Sequence, residues 1–344
     1  MSDAFLALVA IMLTAYVVLD GFDFGAGTLS LLCARSDDER RAVIAAIGPF
    51  WDGNEVWLIA SGGVLMSAFP AALSAAFSGL YLAMFLVVWA LILRGITVEL
   101  LMHMNDGVGR TLASFVFGAA SVSLSLLFGV ALGNVVRGVP LSAGPDFDLP
   151  LFTSFLPRAP VGVLDVYTLL MGVLAAVALS LHGALYLAWK TADPLRARVR
   201  KVTPALIAIT VVLYAVTVVA TSAHVPFTLR AAPGLSLSGA ALVAAWLMHR
   251  RGQDLRAFLG SCAFLVASLL GLAYARGAIL LADVGHAADM TAASAMSPEG
   301  PLRPMAGIYG FGLVLVLLYF ANLFRLHKGK LSPEPSDHDD PSDL

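Results

Sequence analysis

Three short segments of the sequence place ionisable side chains among residues that are otherwise almost entirely apolar. In Leu19-Asp20-Gly21-Phe22-Asp23-Phe24-Gly25-Ala26-Gly27 two carboxylates stand three residues apart, on one face of a helix, beside glycines that allow a neighbour to approach. Asp20 and Asp23 could hold a proton, a cation or a partner group, or they could order the bundle through hydrogen bonds, and both readings stay open. In Gly48-Pro49-Phe50-Trp51-Asp52-Gly53-Asn54-Glu55-Val56-Trp57, Asp52 followed three residues later by Glu55 has the form of a helix capping box, with Trp51 and Trp57 as interfacial anchors. Asn54 and a second carboxylate exceed what a cap needs, and a carboxylate at a membrane face is well placed to collect protons. The third segment is Arg94-Gly95-Ile96-Thr97-Val98-Glu99. Its two charges lie about 140° apart on an ideal helix, so each is expected to pair with another helix, Arg94 with Asp20 or Asp23. A charge inside a span costs about 2.5–3.5 kcal/mol on insertion scales, which makes each such site one that something must offset.

Other chemistries find little support. His182 is the one histidine well inside an apolar stretch, and a lone intramembrane histidine reads first as a packing residue and only second as a haem ligand. Cys33 and Cys262 form no Cys-x-x-Cys pair, and no covalent haem motif, phosphate-binding loop, dinucleotide fingerprint or nucleophile motif is present. No metal and no cofactor is expected on this chain. The net charge of −2 gives no reason to expect nucleic acid.

The elements that must carry these groups are transmembrane helices. Of 344 residues 59% are hydrophobic and 13% charged, and the mean hydropathy is +0.86, beyond the range of soluble domains. Nine apolar runs predict spans at about 5–33, 54–74, 77–101, 112–135, 162–189, 203–222, 235–250, 258–281 and 306–326. The seventh is the shortest, with a re-entrant or surface segment as its alternative. Small residues, Gly62 with Gly63 and Gly118 with Ala119 and Ala120, predict close helix contacts. One transmembrane domain over 1–330 is expected, with a first four-helix bundle over about 1–136, the remaining helices over about 160–330, and a disordered acidic tail over 331–344. The long connections at about 136–161 and 282–305 do not read as folded catalytic domains.

Positive charge fixes the expected orientation. With the N-terminus outside, Arg35, Arg40, Arg41, Arg110, Lys190, Arg196, Arg198, Arg200, Lys201, Arg250, Arg251, Arg256, Arg325, Lys328 and Lys330 fall on the cytoplasmic side. Only Arg137, Arg158, Arg230, Arg276 and Arg303 fall outside. The C-terminus is then inside. The first span has no basic leader and no A-x-A site, so it is expected to remain in the membrane.

Residues 19–27, Ile47-Gly-Pro-Phe-Trp-Asp-Gly-Asn-Glu-Val-Trp-Leu58, Ala68-Phe-Pro70, Ser78-Gly-Leu-Tyr81 and Arg94–Glu99 resemble, in order and spacing, the signatures of subunit II of the cytochrome bd-type quinol oxidases. The resemblance is dense over about 15–100, weaker through Gly129–Asn134 and His182–Tyr186, and fades in the last third. It implies an all-α polytopic membrane protein of nine transmembrane helices, two four-helix bundles plus one peripheral helix, in a bacterial inner membrane. It implies pairing with a similarly folded subunit I that carries haems b558, b595 and d and oxidises quinol while dioxygen is reduced to water. A small accessory subunit, and a structural quinone or lipid in this subunit, are compatible with it. By position, Asp52 resembles the family's cytoplasmic proton-uptake carboxylate, with Trp51, Glu55, Asp20 and Asp23 carried over beside it and Arg94 and Glu99 as structural charges. The chain departs from the family pattern after Glu99, where it reads Leu100-Leu101-Met102-His103, and over Asp283–Met305. An ion-coupled secondary transporter is the alternative, since intramembrane acids and Gly-interrupted helices also serve carriers.

Overall fold

The computed structural model describes residues 1–104, 107–141, 147–158, 160–225 and 230–330; the tail expected to be acidic and disordered, 331–344, lies outside the described residues. The chain is built from α1 (Ser2–Cys33), α2 (Asp37–Ile47), α3 (Trp51–Ala68), α4 (Pro70–Gly79), α5 (Tyr81–His103), α6 (Gly107–Arg137), α7 (Val166–Lys190), α8 (Leu195–Thr221), α9 (Ala231–Arg250), α10 (Asp254–Arg276), a hairpin of β1 (Ile279–Leu281) and β2 (Met290–Thr291), α11 (Ala292–Ala295) and α12 (Glu299–Leu326). Among the described residues eight helices are long and apolar enough to cross a bilayer alone, and α3 with α4 form a ninth, broken candidate bent by 117°. It is an all-α polytopic membrane protein.

The break corrects the expected second span. Pro70 opens α4, and the residue before a proline avoids the helical region; Phe69 accordingly sits at φ −136°, ψ 55°. The run read as 54–74 is therefore a helix that stops at Ala68 and a short one that turns across its end. The seventh run is longer than its apolar core, because Ala231–Arg250 makes 20 residues once Pro233 is accepted in the first turn, where its missing N–H costs nothing. The eighth run is cut at Gly277, whose φ of +65° ends α10, and Ile279–Leu281 become a strand.

Helices α1, α3, α5 and α6 pack on one side and α7, α8, α9 and α10 on the other, with α1 and α6 both meeting α7. In α7, 61% of the spanning window is buried; in α12 the figure is 6%, and α12 lies outside the rest against α3. The α1–α7 contact is a backbone approach. A Cβ on Gly25 would stand 2.0 Å from the Leu179 carbonyl oxygen and 2.7 Å from the Gly183 backbone, while Phe22 stacks on Tyr186 at 4.2 Å. Gly25→Ala should push the two central helices apart and lower stability by about 1–3 kcal/mol, measured as a fall in melting temperature in detergent; an unchanged melt would mean that this approach is not fixed. The expected close contact at Gly118 is present, against Leu31, but Gly62 and Gly63 face open space. Neither glycine has a neighbour where a Cβ would stand, although the Gly63 carbonyl accepts from the Tyr309 hydroxyl of α12 at 3.1 Å.

The two ends of the bundle differ. At the end carrying most of the Lys and Arg, Arg196 and Arg200 pair with Asp254, joining α8 to α10. Arg198 pairs with Glu39 and donates to the Cys33 carbonyl at 2.8 Å. These arginines hold helices together as well as marking a side. At the opposite end Arg137 pairs with Asp165, donates to the Gly162 carbonyl at 3.0 Å and to Asn134 Oδ1 at 2.7 Å, and so ties the connection before α7 to the end of α6. Asp165 also caps α7 with Thr168.

Candidate functional site

The site is a buried charge cluster where α1, α3 and α5 meet. Arg94 of α5 is wholly buried and presents its guanidinium to three carboxylates. Asp20 takes it as a fork: Nη1 donates to Oδ2 at 2.9 Å, and Nη2 lies 2.5 Å from Oδ1. Nη2 also donates to Asp23 Oδ2 at 3.3 Å, and Nη1 to Glu55 Oε1 at 3.0 Å. The ring of Phe24 covers the guanidinium at 4.9 Å, the geometry of a cation–π contact. Asn54 completes the cluster by donating to Asp23 Oδ2 at 2.9 Å and to the Leu19 carbonyl at 3.0 Å.

Local sequence explains the convergence. The three-residue spacing puts Asp20 and Asp23 on the same face of α1, and Asn54 and Glu55 stand where the first turn of α3 passes into the second. Arg94 reaches the three carboxylates because a guanidinium presents donors in a planar fork that suits them. Three carboxylates face one guanidinium in a low-dielectric interior, so the cluster carries more acidic groups than its single cation can pair one to one.

Asp52 and Glu55 lie one turn apart on α3, Asp52 exposed at the Arg-rich end and Glu55 with 27% of its side chain exposed while bound to Arg94. A ladder of acids thus runs from the surface into the cluster. Trp51 rests against Gly95, next to Arg94 in sequence. The capping-box reading of Asp52 and Glu55 is corrected: Phe50 is the N-cap of α3 and no side chain caps it, because Glu55 is drawn to Arg94 rather than back along the backbone. The cap near this end belongs to α2, where Ser36 and Glu39 form the box. Glu99 is a second correction. Among the described residues it meets no other helix through an ion pair but lies 3.5 Å from His103 of its own, both exposed.

Glu39 is buried, which by itself would raise its pKa, but hydrogen bonds from the Arg35 and Ser36 amides and the Arg198 guanidinium hold it below the ordinary glutamate value. A folded pKa below the unfolded one gives stability that is present at neutral pH and disappears as pH falls through the folded value. Glu39→Gln should therefore melt lower than the parent near neutrality, with the gap closing as pH falls below the unfolded glutamate value and through the lower folded one, between about pH 5 and about pH 3. A gap that stayed constant over that range would contradict the assignment.

His182 has no free ring nitrogen: Nδ1 bonds Ser261 Oγ at 2.7 Å and Nε2 the Val18 carbonyl at 2.9 Å, with Phe258 stacked at 4.9 Å. It does not fit a haem. Among the described residues no group of three or more His, Cys, Asp or Glu is arranged to hold a metal ion. Tyr16, one turn before Asp20 with its hydroxyl beside that carboxylate, was not singled out in the sequence; its position four residues ahead of a buried acid was the available signal. Tyr16 and Thr217 also line an apolar cavity of about 200 Å³ between α1 and α6–α10, where the buried Thr217 hydroxyl has no hydrogen-bond partner among the described residues.

Residues 1–327 match the family described as cytochrome bd terminal oxidase subunit II. The chain belongs to that family. It is 35% identical over 208 residues to the cytochrome bd-I ubiquinol oxidase subunit 2 of Escherichia coli, covering 60% of this chain and 54% of the relative. It is 36% identical over 195 residues to a probable cytochrome oxidase subunit 2 of Haemophilus influenzae (57% and 50%) and 31% identical over 199 residues to the cytochrome bd ubiquinol oxidase subunit 2 of Bacillus subtilis (58% and 56%). The matches span about half the length of these curated relatives. Membership of the cytochrome bd subunit II family sets aside the ion-coupled carrier, and extends the likeness through the last third, where the motifs alone fade.

Proposed function

We propose that this chain is the haem-free subunit of a cytochrome bd-type quinol:oxygen oxidoreductase, that it supports a haem-bearing subunit I, and that it supplies protons for the reduction of dioxygen to water. The observation that carries the proton role is the ladder from exposed Asp52 through Glu55 to the shared Arg94–Asp20–Asp23 cluster. A surface carboxylate collects a proton, an adjacent half-exposed one relays it, and the buried cluster, short of positive charge, accepts it. Trp51 packs beside the ladder and limits water at its flank. Haems b558, b595 and d belong in this reading to the partner, since His182 offers no free nitrogen and no other histidine of this chain lies well inside a span. Quinol is oxidised there, at the external face.

The concentration of Lys and Arg at one end supports a cytoplasmic placement for Asp52, an external N-terminus and a bacterial inner-membrane location. The apolar cavity beside Tyr16 suits a structural quinone or a lipid chain, and a small accessory subunit is compatible with the exposed apolar faces. The chain is not catalytic alone.

The test is gentle purification of the tagged full chain from its native membrane, with a reduced-minus-oxidised visible spectrum beside a gel. Haem b and d bands that travel with a second, larger membrane subunit, and leave with it on separation, are the expected result. A chain that purifies without haem or partner would overturn the reading.

A further inference from the structure

At the Arg-rich end the turn after α2 and the ends of α5, α6 and α12 enclose an open cavity of about 620 Å³, separate from the charge cluster. Its polar lining is Arg41, Arg110 and His327, and no carboxylate lines it among the described residues; Met102, Met104 and Pro49 supply apolar wall. Arg110 is the unusual member. It is 5% exposed, and its guanidinium is fixed by donating to the Met104 carbonyl at 2.6 Å and the Leu101 carbonyl at 3.2 Å, yet Nε is buried without a partner. Among the described residues Arg110 makes no ion pair within 4 Å, and a buried guanidinium held by carbonyls favours an anion nearby. Arg41 acts on Arg110 more strongly than Asp37 and Asp38, which offset it in part, and Asp37 is paired with Arg40 at 2.7 Å. Exposed Arg41 adds a second positive charge at the rim.

We propose that this cavity binds the phosphate of an anionic phospholipid, held by Arg110 and Arg41, with the glycerol and upper acyl segments against Met102, Met104 and Pro49. The ends of three spanning helices place it at headgroup depth, where basic pockets between helices recognise anionic lipids. A free phosphate would satisfy the two arginines but has no use for the apolar wall. The binding rests only on the chain's place in a membrane and not on the proton route. It has a consequence for that route all the same, because Gly48 and Pro49, which line the cavity, lead directly into Trp51 and Asp52. A lipid seated here steadies that turn.

The experiment is native mass spectrometry of the full chain, with whatever subunits accompany it, stripped of loosely held lipid and titrated with phosphatidylglycerol or phosphatidylcholine. One phosphatidylglycerol retained in preference to phosphatidylcholine is expected. Arg41→Gln, a change at an exposed side chain that should not disturb folding, is expected to weaken retention about fivefold; Arg250→Gln, at the same end but outside the cavity, should leave it unchanged. Equal loss in the two variants would reduce the effect to a diffuse surface attraction and overturn the site. So would no preference for phosphatidylglycerol. Displacement of the lipid by excess inorganic phosphate would reassign the cavity to free phosphate and overturn the lipid.

Discussion

Arg94→Leu should abolish the stable bundle, at a cost of about 3–5 kcal/mol, the range for removing one partner of a buried ion pair. The guanidinium is 0% exposed and holds Asp20, Asp23 and Glu55 at once, so its loss strands carboxylates on two helices in an apolar interior. The measurement is the folded yield after detergent extraction together with the melting temperature. Adding Asp20→Asn and Asp23→Asn to the leucine variant removes the two fully buried stranded charges, leaving only the part-exposed Glu55, and should restore a large part of the loss, because neutral amides bury at far lower cost than carboxylates. Arg94→Lys should recover little. A single ammonium cannot form the paired contact with both oxygens of Asp20 while reaching Asp23 and Glu55. If the single and triple variants melted alike, the cluster would not be held by charge.

This pairing was legible in the sequence because charge in an apolar run is costly enough to demand a partner, and Arg94 was the one cation inside a span. Two acids at helical spacing told which face of α1 must meet it. What the sequence could not order was Glu55. Three residues after Asp52 it fits a capping box, and local pattern alone favours that arrangement; a tertiary contact with Arg94, 39 positions away, overrides it. Glu99 failed in the opposite direction. Its spacing from Arg94 excluded a mutual pair, but nothing in the spacing revealed that it would sit 58% exposed and lean on His103.

The fold divides the same way. Span number and approximate position follow from apolar length, since the bilayer sets one dimension that every helix must meet. Ends depend on single residues. Pro70 split a run whose hydropathy was continuous, and Gly277 stopped one whose apolar character carried on into a strand. Glycine contacts were harder still: Gly62 and Gly63 look as suited to close helix packing as Gly25, yet of the three only Gly25 has another helix's backbone where a Cβ would stand. Composition permits a close approach, and the rest of the bundle decides whether a neighbour is present.

On the proposed oxidase reading, Asp52→Asn should lower oxygen consumption by about tenfold or more while leaving the haem spectrum of the purified complex unchanged. The asparagine keeps the size and polarity of the side chain but cannot exchange a proton, and because Asp52 is exposed the substitution should change stability by no more than about 0.5 kcal/mol. Asp52→Glu, which moves the carboxyl by one methylene but keeps it, should regain most of the rate. Glu55→Gln provides the contrast. Glu55 both faces solvent and accepts from Arg94, so that variant should lose stability together with turnover, and its rate alone could not separate relay from scaffold. The Asp52 pair can. Oxygen electrode traces at matched haem content read proton supply directly: a slow asparagine variant rescued by glutamate requires an exchangeable proton at this position. Equal turnover of all three proteins would take Asp52 off the route and leave the subunit as a support for its partner.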